Sequence, residues 1–469
     1  MPHHSRRGAP SQSDSLRSAF GCTMPCMSPR GPSHSHNSVH ALSGDAGRLL
    51  RTLCGHPDRS LGTRGNAEAT RLFADEAGRR GWDVSVSGFA CLRWERVGAS
   101  LTLGQRRFGL HPGPYSPPAE LEAPLRVLRS LDELQAVAGR GQILLMAGEL
   151  AAEQLFPRGF PFYYPEEHEA IYAELDRLEP AALIAATGHN PEVAGGAYPF
   201  PLIEDGSFPF PSAYMTDQTG ELLARQAVEG AAAEGAGSAG PAAAGPVQLR
   251  IRSDRVPATA EQVEAVRGPA GAPRILVTAH IDSKEGAPGA IDNAGGVVVL
   301  LLLAELLADY EGPYRLELIP FNGEDYYAVS GQLDWFRRNE DSVGDVRLAV
   351  NIDGVGYRRG ATEYSFYGAG EETVRALQDA AARPGRGDPG NTSEVHGGGD
   401  FAAGEPWYQG DHAMFVQRGI PAVALTSERI WELSRTTTHS SRDVPEIVDP
   451  ARLARTARVL GDFLRGLRT

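Results

Sequence analysis

Hydrophobic and polar positions follow two regular patterns in the second half of the chain, from about residue 250 onward. Four short apolar runs predict buried strands, and these are 275–279, 315–321, 348–352 and 422–425. Apolar positions with helical spacing predict the intervening helices, which are 293–307, 329–338, 372–382 and 450–467. Alternating strands and helices are typical of an α/β fold with a mainly parallel central sheet flanked by helices.

The first half of the chain divides into stretches of different pattern. Residues 1–42 are rich in Ser, His, Pro and Arg without an apolar period, which predicts a disordered leader. Residues 43–91 have helical and strand patterns and are assigned to the N-terminal part of the main domain. Residues 92–245 carry short strands among dense Pro and Gly, which predicts an inserted smaller domain of α+β or β type. The main domain would then resume over 246–469.

The charge and the hydropathy of the chain limit the kinds of partner that it is expected to bind. The formal net charge of -14 argues against nucleic acid or an anionic membrane, because both require clustered lysine and arginine. No apolar run approaches the roughly 18 residues of a membrane-spanning helix, and no apolar segment of a secretory signal is recognised. We therefore expect a cytoplasmic protein without nucleic-acid or membrane partners, and the pattern leaves its oligomeric state open.

Histidine and carboxylate side chains stand at the carboxyl ends of three successive predicted strands. His280 and Asp282 end the first strand, Glu324 and Asp325 follow the second, and Asp353 follows the third. Because ligands bind beyond the carboxyl ends of parallel strands, we expect these side chains to lie together at one edge of the sheet. A mixed set of histidines and carboxylates is typical of catalytic zinc, and one carboxylate can bridge two ions about 3.5–4 Å apart.

Each of these residues also has an ordinary structural interpretation when it is taken alone. A single histidine at a strand end is usually a hydrogen-bonded loop residue. Asp292 precedes an apolar helix and has the sequence position of a helix N-cap. Glu324 and Asp325 could form a solvated pair, and Asp353 could belong to an ordinary turn. One metal site accounts for all of these positions together, and we favour it for that reason.

The ordered motifs from His280 to His439 resemble those of the co-catalytic zinc exopeptidases. This family includes bacterial leucyl aminopeptidases and glutamate carboxypeptidase (family twenty-eight of the metallopeptidases). The resemblance covers about 250–469, and residues 59–66 are similar to the family's Arg, Gly-Ser, Gly pattern ahead of its first helix. The insert over 92–245 resembles the protease-associated domain, which would act as a lid or a substrate selector. The resemblance implies the zinc exopeptidase fold.

The resemblance also implies a ligand set for two zinc ions per chain. His280 and Asp353 would hold one zinc ion, and Asp325 and His439 would hold the other. Asp292 would bridge the two ions. The family more often has two consecutive glutamates where this chain has a glutamate followed by Asp325, which is one methylene shorter. We therefore expect the second zinc ion to be shifted slightly or held more loosely.

Two carboxylates have implied roles outside the ligand set. Glu324 would be the general base, which takes a proton from water and passes it to the leaving amine. Asp282 would orient the imidazole of His280, which fixes the tautomer that leaves a nitrogen free for the metal. Residues 411–412, an Asp-His pair that also matches the family, are interpreted as structural support for the site.

The favoured function is that of a zinc-dependent aminopeptidase, which hydrolyses N-terminal residues from peptides with zinc-activated water. The same fold leaves open a carboxypeptidase or a glutaminyl-cyclase-like acyltransferase with one zinc. A carboxypeptidase would need a basic clamp, for which the candidates are Arg358, Arg359, Arg429 and Arg435. A non-catalytic binding protein is a further alternative, but such a protein would be expected to lose Glu324 or several ligands, and none is missing.

Overall fold

A computed structural model gives the structure of the protein. It describes the residues 39–56, 58–152, 155, 158, 166–187, 208–233, 243–326, 329–383 and 401–468. Their strands join into one mixed sheet of 13 strands, and helices flank it. The predicted α/β class, with a large central sheet between helices, is confirmed. Most of the predicted leader, residues 1–38, lies outside the described residues.

Strands and helices alternate over 274–352, as the sequence pattern predicts for this part of the chain. The helices are α1 (Val39–Cys54), α2 (Arg64–Arg79), α3 (Leu131–Gln135), α4 (Glu166–Leu178), α5 (Asp217–Ala233), α6 (Gly295–Leu306), α7 (Ser330–Arg338), α8 (Glu371–Ala382), α9 (His412–Val416), α10 (Ile430–Thr436) and α11 (Pro450–Gly466). The strands are β1 (Asp83–Leu103), β2 (Arg106–Pro112), β3 (Ala119–Leu128), β4 (Ile143–Met146), β5 (Ala182–Thr187), β6 (Ser212–Thr216), β7 (Ala243–Arg267), β8 (Arg274–His280), β9 (Arg315–Phe321), β10 (Val346–Ile352), β11 (Thr362–Tyr367), β12 (Phe401–Ala403) and β13 (Ala422–Ser427). Among the described helices, none has both the length and the apolar character needed to cross a membrane.

Four parallel strands in the order β9-β8-β10-β13 form the part of the sheet that carries the candidate site. In this register His280 lies beside Phe321, and Asn351 lies beside Thr278. The chain segments that follow these strands therefore leave the sheet side by side at one edge. Antiparallel neighbours flank the four strands, with β7 beside β9 and β11 beside β13.

Helix α6 is buried over most of its length. Its residues from Gly295 to Ala304 are all buried, in keeping with the continuous apolar run that predicts a core helix. It packs within one large apolar cluster that also includes side chains of α1 and α11. A Cβ atom at Gly296 would lie 2.5 Å from the carbonyl oxygen of Ile352, so glycine permits the start of α6 to approach the end of β10. This contact places the start of α6 next to the candidate site.

Two long antiparallel strands, β1 and β7, connect the main domain to the region predicted as an insert. Their pairing runs from Asp83 opposite Val266 to Thr102 opposite Gln248. At the far end, the strands pair in the order β1-β2-β6-β5-β4-β3-β7, and the pairing of β1 with β7 closes this ring. The ring strands contribute to an apolar cluster of their own. The predicted boundaries of the insert fall inside β1 and β7, and the division into domains remains a prediction.

Candidate active site

His280 ends β8 at the carboxyl edge of the sheet and is 1% exposed. Its Nε2 atom lies 2.9 Å from Oδ1 of Asp292 and 3.5 Å from Oδ1 of Asp353. Asp353 directly follows β10, the strand beside β8. The two neighbouring strands thus direct a histidine and a carboxylate at the same point, where Asp292 meets them.

His439 and Asp325 form a second group of candidate ligands around Asp292. The Nε2 atom of His439 lies 2.9 Å from Oδ2 of Asp292 and 3.2 Å from Oδ1 of Asp325. The two oxygens of one carboxylate therefore face two different imidazoles. All five residues that the sequence proposes as ligands come together, in two groups that share Asp292. Glu324 is adjacent, with its Oε2 atom 3.9 Å from Nε2 of His280.

The segment that carries Asp292 is fixed by a buried carboxylate that the sequence did not single out. Oδ1 of Asp443 accepts a hydrogen bond from the backbone N–H of Ile291 at 2.7 Å, and Oδ2 accepts one from that of Asp292 at 3.0 Å. The peptide bond between Asp292 and Asn293 is cis. The side-chain oxygen of Asn293 accepts a hydrogen bond from the N–H of Gly296 at 3.1 Å, which ties this residue to the first turn of α6 and leaves Asp292 to face the histidines.

Arg59 also holds the segment that carries Asp292. It is 2% exposed, and its guanidinium donates hydrogen bonds to four backbone carbonyls, those of Leu53, Ile281, Pro288 and Gly289. Gly289 has a φ of 60°, and a Cβ there would lie 2.4 Å from the carbonyl oxygen of Asp292, so glycine is required. The arginine of the N-terminal motif thus acts by holding the chain around the site.

Asp282 is fully buried, and its carboxylate binds the turn that follows β9. Its Oδ1 accepts a hydrogen bond from the backbone N–H of Gly323 at 2.7 Å, and Oδ2 accepts one from that of Asp325 at 3.0 Å. Its Oδ1 lies 3.8 Å from Nδ1 of His280, which is longer than a hydrogen bond. Asp282 therefore fixes the turn that carries Glu324 and Asp325, while its role in orienting His280 remains a prediction.

Carboxylates raise the pKa values of both histidines. Burial alone would lower the pKa of His439, but the carboxylates of Asp325 and Asp292 raise it to about 9. Burial acts in the same direction on His280, and the negative charges around it, with Glu324 the largest, raise its pKa well above the usual range. The imidazoles therefore lie in strongly negative surroundings that favour a cation.

Glu324 and Asp325 differ in their electrostatic surroundings although they are neighbours in the chain. Burial raises the pKa of Glu324 well above its usual range. Burial would also raise the pKa of Asp325, but the positive charges of Lys284 and His439 lower it to about 2. Asp325 is therefore a stable anion, which suits a metal ligand, whereas Glu324 takes up a proton more readily, which suits a general base.

The Asp-His pair at 411–412 lies behind the site. His412 is buried, with Nε2 2.7 Å from the carbonyl oxygen of Trp407 and Nδ1 3.4 Å from the amide nitrogen of Asn351. Burial lowers the pKa of His412 to about 4. Burial also raises the pKa of Asp411 to about 7, and its Oδ1 accepts a hydrogen bond from Gln332. Both ring nitrogens of His412 have protein partners, in accord with the structural role expected from the sequence.

The donor atoms of the site fit a zinc ion. His280, Asp292 and Asp325 each offer one ligand atom, and these atoms lie within 4.8 Å of one another. Oδ2 of Asp325 is buried and has no hydrogen-bond partner among the described residues. Imidazole nitrogen and carboxylate oxygen are the donors that catalytic zinc sites use. The chemistry of the site therefore matches the metal that the sequence predicts.

Two residues of the site were not recognised in the sequence. Asp443 has no local signal, because it acts on Ile291 and Asp292 across a long stretch of chain. Lys284 lies four residues after His280, and its Nζ atom is 3.1 Å from Oδ1 of Asp325. One feature of the sequence could have drawn attention to Lys284, because it is the only lysine in the sequence.

Comparisons with known proteins identify the relatives of this architecture. The model of Peptidase family M28 matches residues 215–464, more than half of the chain. An aminopeptidase from Aneurinibacillus sp. strain AM-1 has a TM-score of 0.65 at 19% identity, over 92% of this chain and 95% of that one. BSAP, a zinc aminopeptidase from Bacillus subtilis, has a TM-score of 0.66 at 18% identity, over 90% and 94%. A Peptidase M28 precursor from Shewanella amazonensis has a TM-score of 0.62 at 15% identity, over 92% and 96%. No curated protein matches the chain.

The fold, the site and the match together define the class of the protein, which is a peptide hydrolase. More particularly, the chain belongs to peptidase family M28. The structural likenesses at these low identities concern the fold, and they agree with the zinc exopeptidase architecture expected from the sequence.

Proposed function

We propose that the protein is a zinc-dependent aminopeptidase, which removes N-terminal residues from peptides. The observation that carries the proposal is the position of Asp292, whose two oxygens face the imidazoles of His280 and His439. His280 and Asp353 would hold one zinc ion, His439 and Asp325 would hold the other, and Asp292 would contribute to both. When bound, zinc polarises the scissile carbonyl group and lowers the pKa of water.

Glu324 is the proposed general base. It lies beside the first ligand group, 3.9 Å from Nε2 of His280, but outside the closest contacts of that group. Its carboxylate takes a proton from the attacking water and then gives the proton to the leaving amine. Asp282 accepts hydrogen bonds from the turn that carries Glu324 and so keeps the base in place.

The balance of charge favours an amino-terminal over a carboxyl-terminal substrate. The carboxyl groups in and beside the site include those of Asp282, Asp292, Glu324, Asp325, Asp353 and Asp411. When all six are ionised, which bound zinc would favour, their charge of -6 exceeds the +5 of two zinc ions and the ammonium of Lys284. A negative site attracts the ammonium of a peptide's N-terminus and repels the carboxylate of its C-terminus.

The arginines proposed as a carboxylate clamp are partly engaged elsewhere. Arg429 donates hydrogen bonds to both carboxylate oxygens of Glu432, at 2.7 and 2.6 Å. Arg358 donates to the carbonyl oxygen of Val448 at 3.2 Å. A guanidinium that already holds a protein carboxylate is a poor partner for a substrate carboxylate. These contacts weigh against the carboxypeptidase alternative.

A set of matched peptides tests the proposed activity. The same short peptide is prepared with free termini, with an acetylated N-terminus and with an amidated C-terminus, and the products are identified by mass spectrometry. An aminopeptidase releases the first residue from the free and amidated peptides and leaves the acetylated one intact. Loss of hydrolysis on amidation would indicate a carboxypeptidase instead. Cyclisation of an N-terminal glutamine peptide would indicate the acyltransferase, and no turnover of any peptide would contradict all three activities.

A further inference from the structure

Lys284 is set apart by the composition of the chain. The sequence has 45 lysine and arginine residues together, and Lys284 is the only lysine. Arginine presents a planar fork of donors, whereas lysine presents a compact point charge on a flexible stem. Where a cationic side chain occurs anywhere else in this sequence, it is an arginine. The single exception directly contacts a proposed metal ligand, Asp325.

The ammonium of Lys284 is directed at Asp325. Its side chain is 12% exposed, and Nζ lies 3.1 Å from Oδ1 of Asp325. Nζ also donates a hydrogen bond to the backbone carbonyl oxygen of the same residue. The same Oδ1 atom lies 3.2 Å from Nε2 of His439. A fixed positive charge and the histidine of the second ligand group thus share one carboxylate oxygen.

Aromatic packing fixes the position of this ammonium. Nζ of Lys284 lies 5.4 Å from the centre of the Tyr326 ring, within the range of a cation–π contact. The hydroxyl of Tyr326 donates a hydrogen bond to the carbonyl oxygen of Ser283 at 2.6 Å. The ring of Tyr115 packs edge-on against Tyr326, with ring centres 6.3 Å apart. The ammonium of Lys284 is therefore held between the carboxylate of Asp325 and the ring of Tyr326.

The two ligand groups have different cationic surroundings as a result. No lysine or arginine side chain forms an ion pair with Asp353 among the described residues, whereas Asp325 is already paired with Lys284. The ammonium of Lys284 would repel a dication held by the carboxylate that it contacts, and in a partly buried site this repulsion exceeds the gain from one hydrogen bond. A second zinc ion would therefore bind against a positive charge that the first ion does not meet.

We propose that Lys284 is a positioning residue that holds Asp325 in place and makes the two zinc sites unequal, with the Asp325–His439 site the weaker. This inference rests on the proposed two-zinc function. Its consequence is that the second zinc ion exchanges readily while the first stays bound. The shorter Asp325, where the related family more often has glutamate, leaves the carboxylate within reach of the ammonium.

Zinc binding to the wild type and to two variants tests this role. Wild type, Lys284→Met and Lys284→Arg are dialysed against a series of buffered free zinc concentrations, and bound zinc is measured by mass spectrometry. The wild type is expected to bind two ions with affinities that differ by about tenfold or more. Lys284→Met should tighten the second site by about tenfold and change the first by less than about threefold. Lys284→Arg keeps the charge and should stay near the wild type.

Arg96→Met is the matched control, because it removes one positive charge next to the same loop. Arg96 pairs with Glu285, the neighbour of Lys284, at 2.7 Å, and it forms no ion pair with Asp325 among the described residues. The affinity of Arg96→Met for the second zinc ion should equal that of the wild type. Unchanged or weaker second-site binding in Lys284→Met would overturn the proposal, as would an equal gain in Arg96→Met. Peptide hydrolysis by the wild type is scored separately, so a failure of the proposed function would be recognised as such.

Discussion

At the scale of single residues, Glu324 and Asp325 test the assignment of roles most sharply. Glu324→Gln keeps a side chain of the same size that cannot accept the proton, so both zinc ions should remain bound. Its turnover should fall by about 10²–10⁴-fold or more. Asp325→Ala deletes a direct ligand and should weaken the binding of one zinc ion. Zinc content and the rate of peptide hydrolysis are measured on the same preparations.

The comparison of the two variants decides between a metal site and a solvated acidic pair. Loss of rate in one variant and loss of metal in the other is the expected result. Loss of metal in Glu324→Gln, with the rate per bound zinc unchanged, would exchange the two roles. Full activity of both variants would place the site elsewhere.

His412 predicts a pH dependence of stability. Burial lowers its pKa from 6.5 to about 4, so between these values the unfolded chain binds a proton that the folded protein does not. Its contribution to stability is complete above pH 6.5 and is lost as the pH falls towards 4, by about 3 kcal/mol in total. His412→Gln removes this titration. Urea unfolding at pH 7.5 and 4.5 should show a smaller loss of stability in the variant than in the wild type, and an equal loss would contradict the assignment.

The sequence predicted which residues lie together better than it predicted their contacts. His280, Glu324, Asp325 and Asp353 lie in one cluster because β8, β9 and β10 bring their carboxyl ends together, and Asp292 and His439 join them from other segments. The contacts of Asp282 with the turn after β9 could not be predicted, because they depend on the path of the backbone. Asp443 was missed for the same reason, since its partners are distant in sequence.

At the scale of elements, the segment before α6 depends on Arg59. Its four carbonyl acceptors lie in two different parts of the chain, and a lysine cannot reach all of them with one ammonium. Each buried carbonyl left without a partner costs about 1–3 kcal/mol. Arg59→Lys should therefore lower the free energy of unfolding by about 2–4 kcal/mol and weaken zinc binding through Asp292. Arg71→Lys, at an exposed position in α2, is the control and should change neither quantity.

Helices and buried strands were predictable where the apolar pattern was continuous. The run predicted as a helix over 293–307 begins as α6 at Gly295, because Asp292 and Asn293 have non-helical backbone angles and Asp292 belongs to the site. The sequence pattern predicts separate short strands before and after residue 91, whereas β1 runs through both stretches. It is continuous because its polar middle pairs with β7, where both faces of a ribbon can meet solvent. β11 was not predicted, since it lacks a continuous apolar run.

At the scale of the whole molecule, the pairing of β1 with β7 shows where the predicted insert can be cut out of the chain. Arg96 and Ser253 are direct partners in the pairing of β1 with β7. A variant that replaces 97–252 with Asn-Gly joins these partners by a two-residue turn. No proposed ligand lies in the deleted stretch, so we expect a folded protein that binds zinc and has an altered preference among peptides. A soluble variant without zinc would contradict the division into domains.

Removal and return of the metal test the central claim, that this chain is a zinc-dependent aminopeptidase. Enzyme stripped of metal by a chelator is titrated with zinc, and the release of the first residue from an unblocked peptide is followed together with bound zinc. We expect no release by the stripped protein and full recovery as about two zinc ions bind per chain. Release that persists in protein shown to contain no stoichiometric metal would contradict the account.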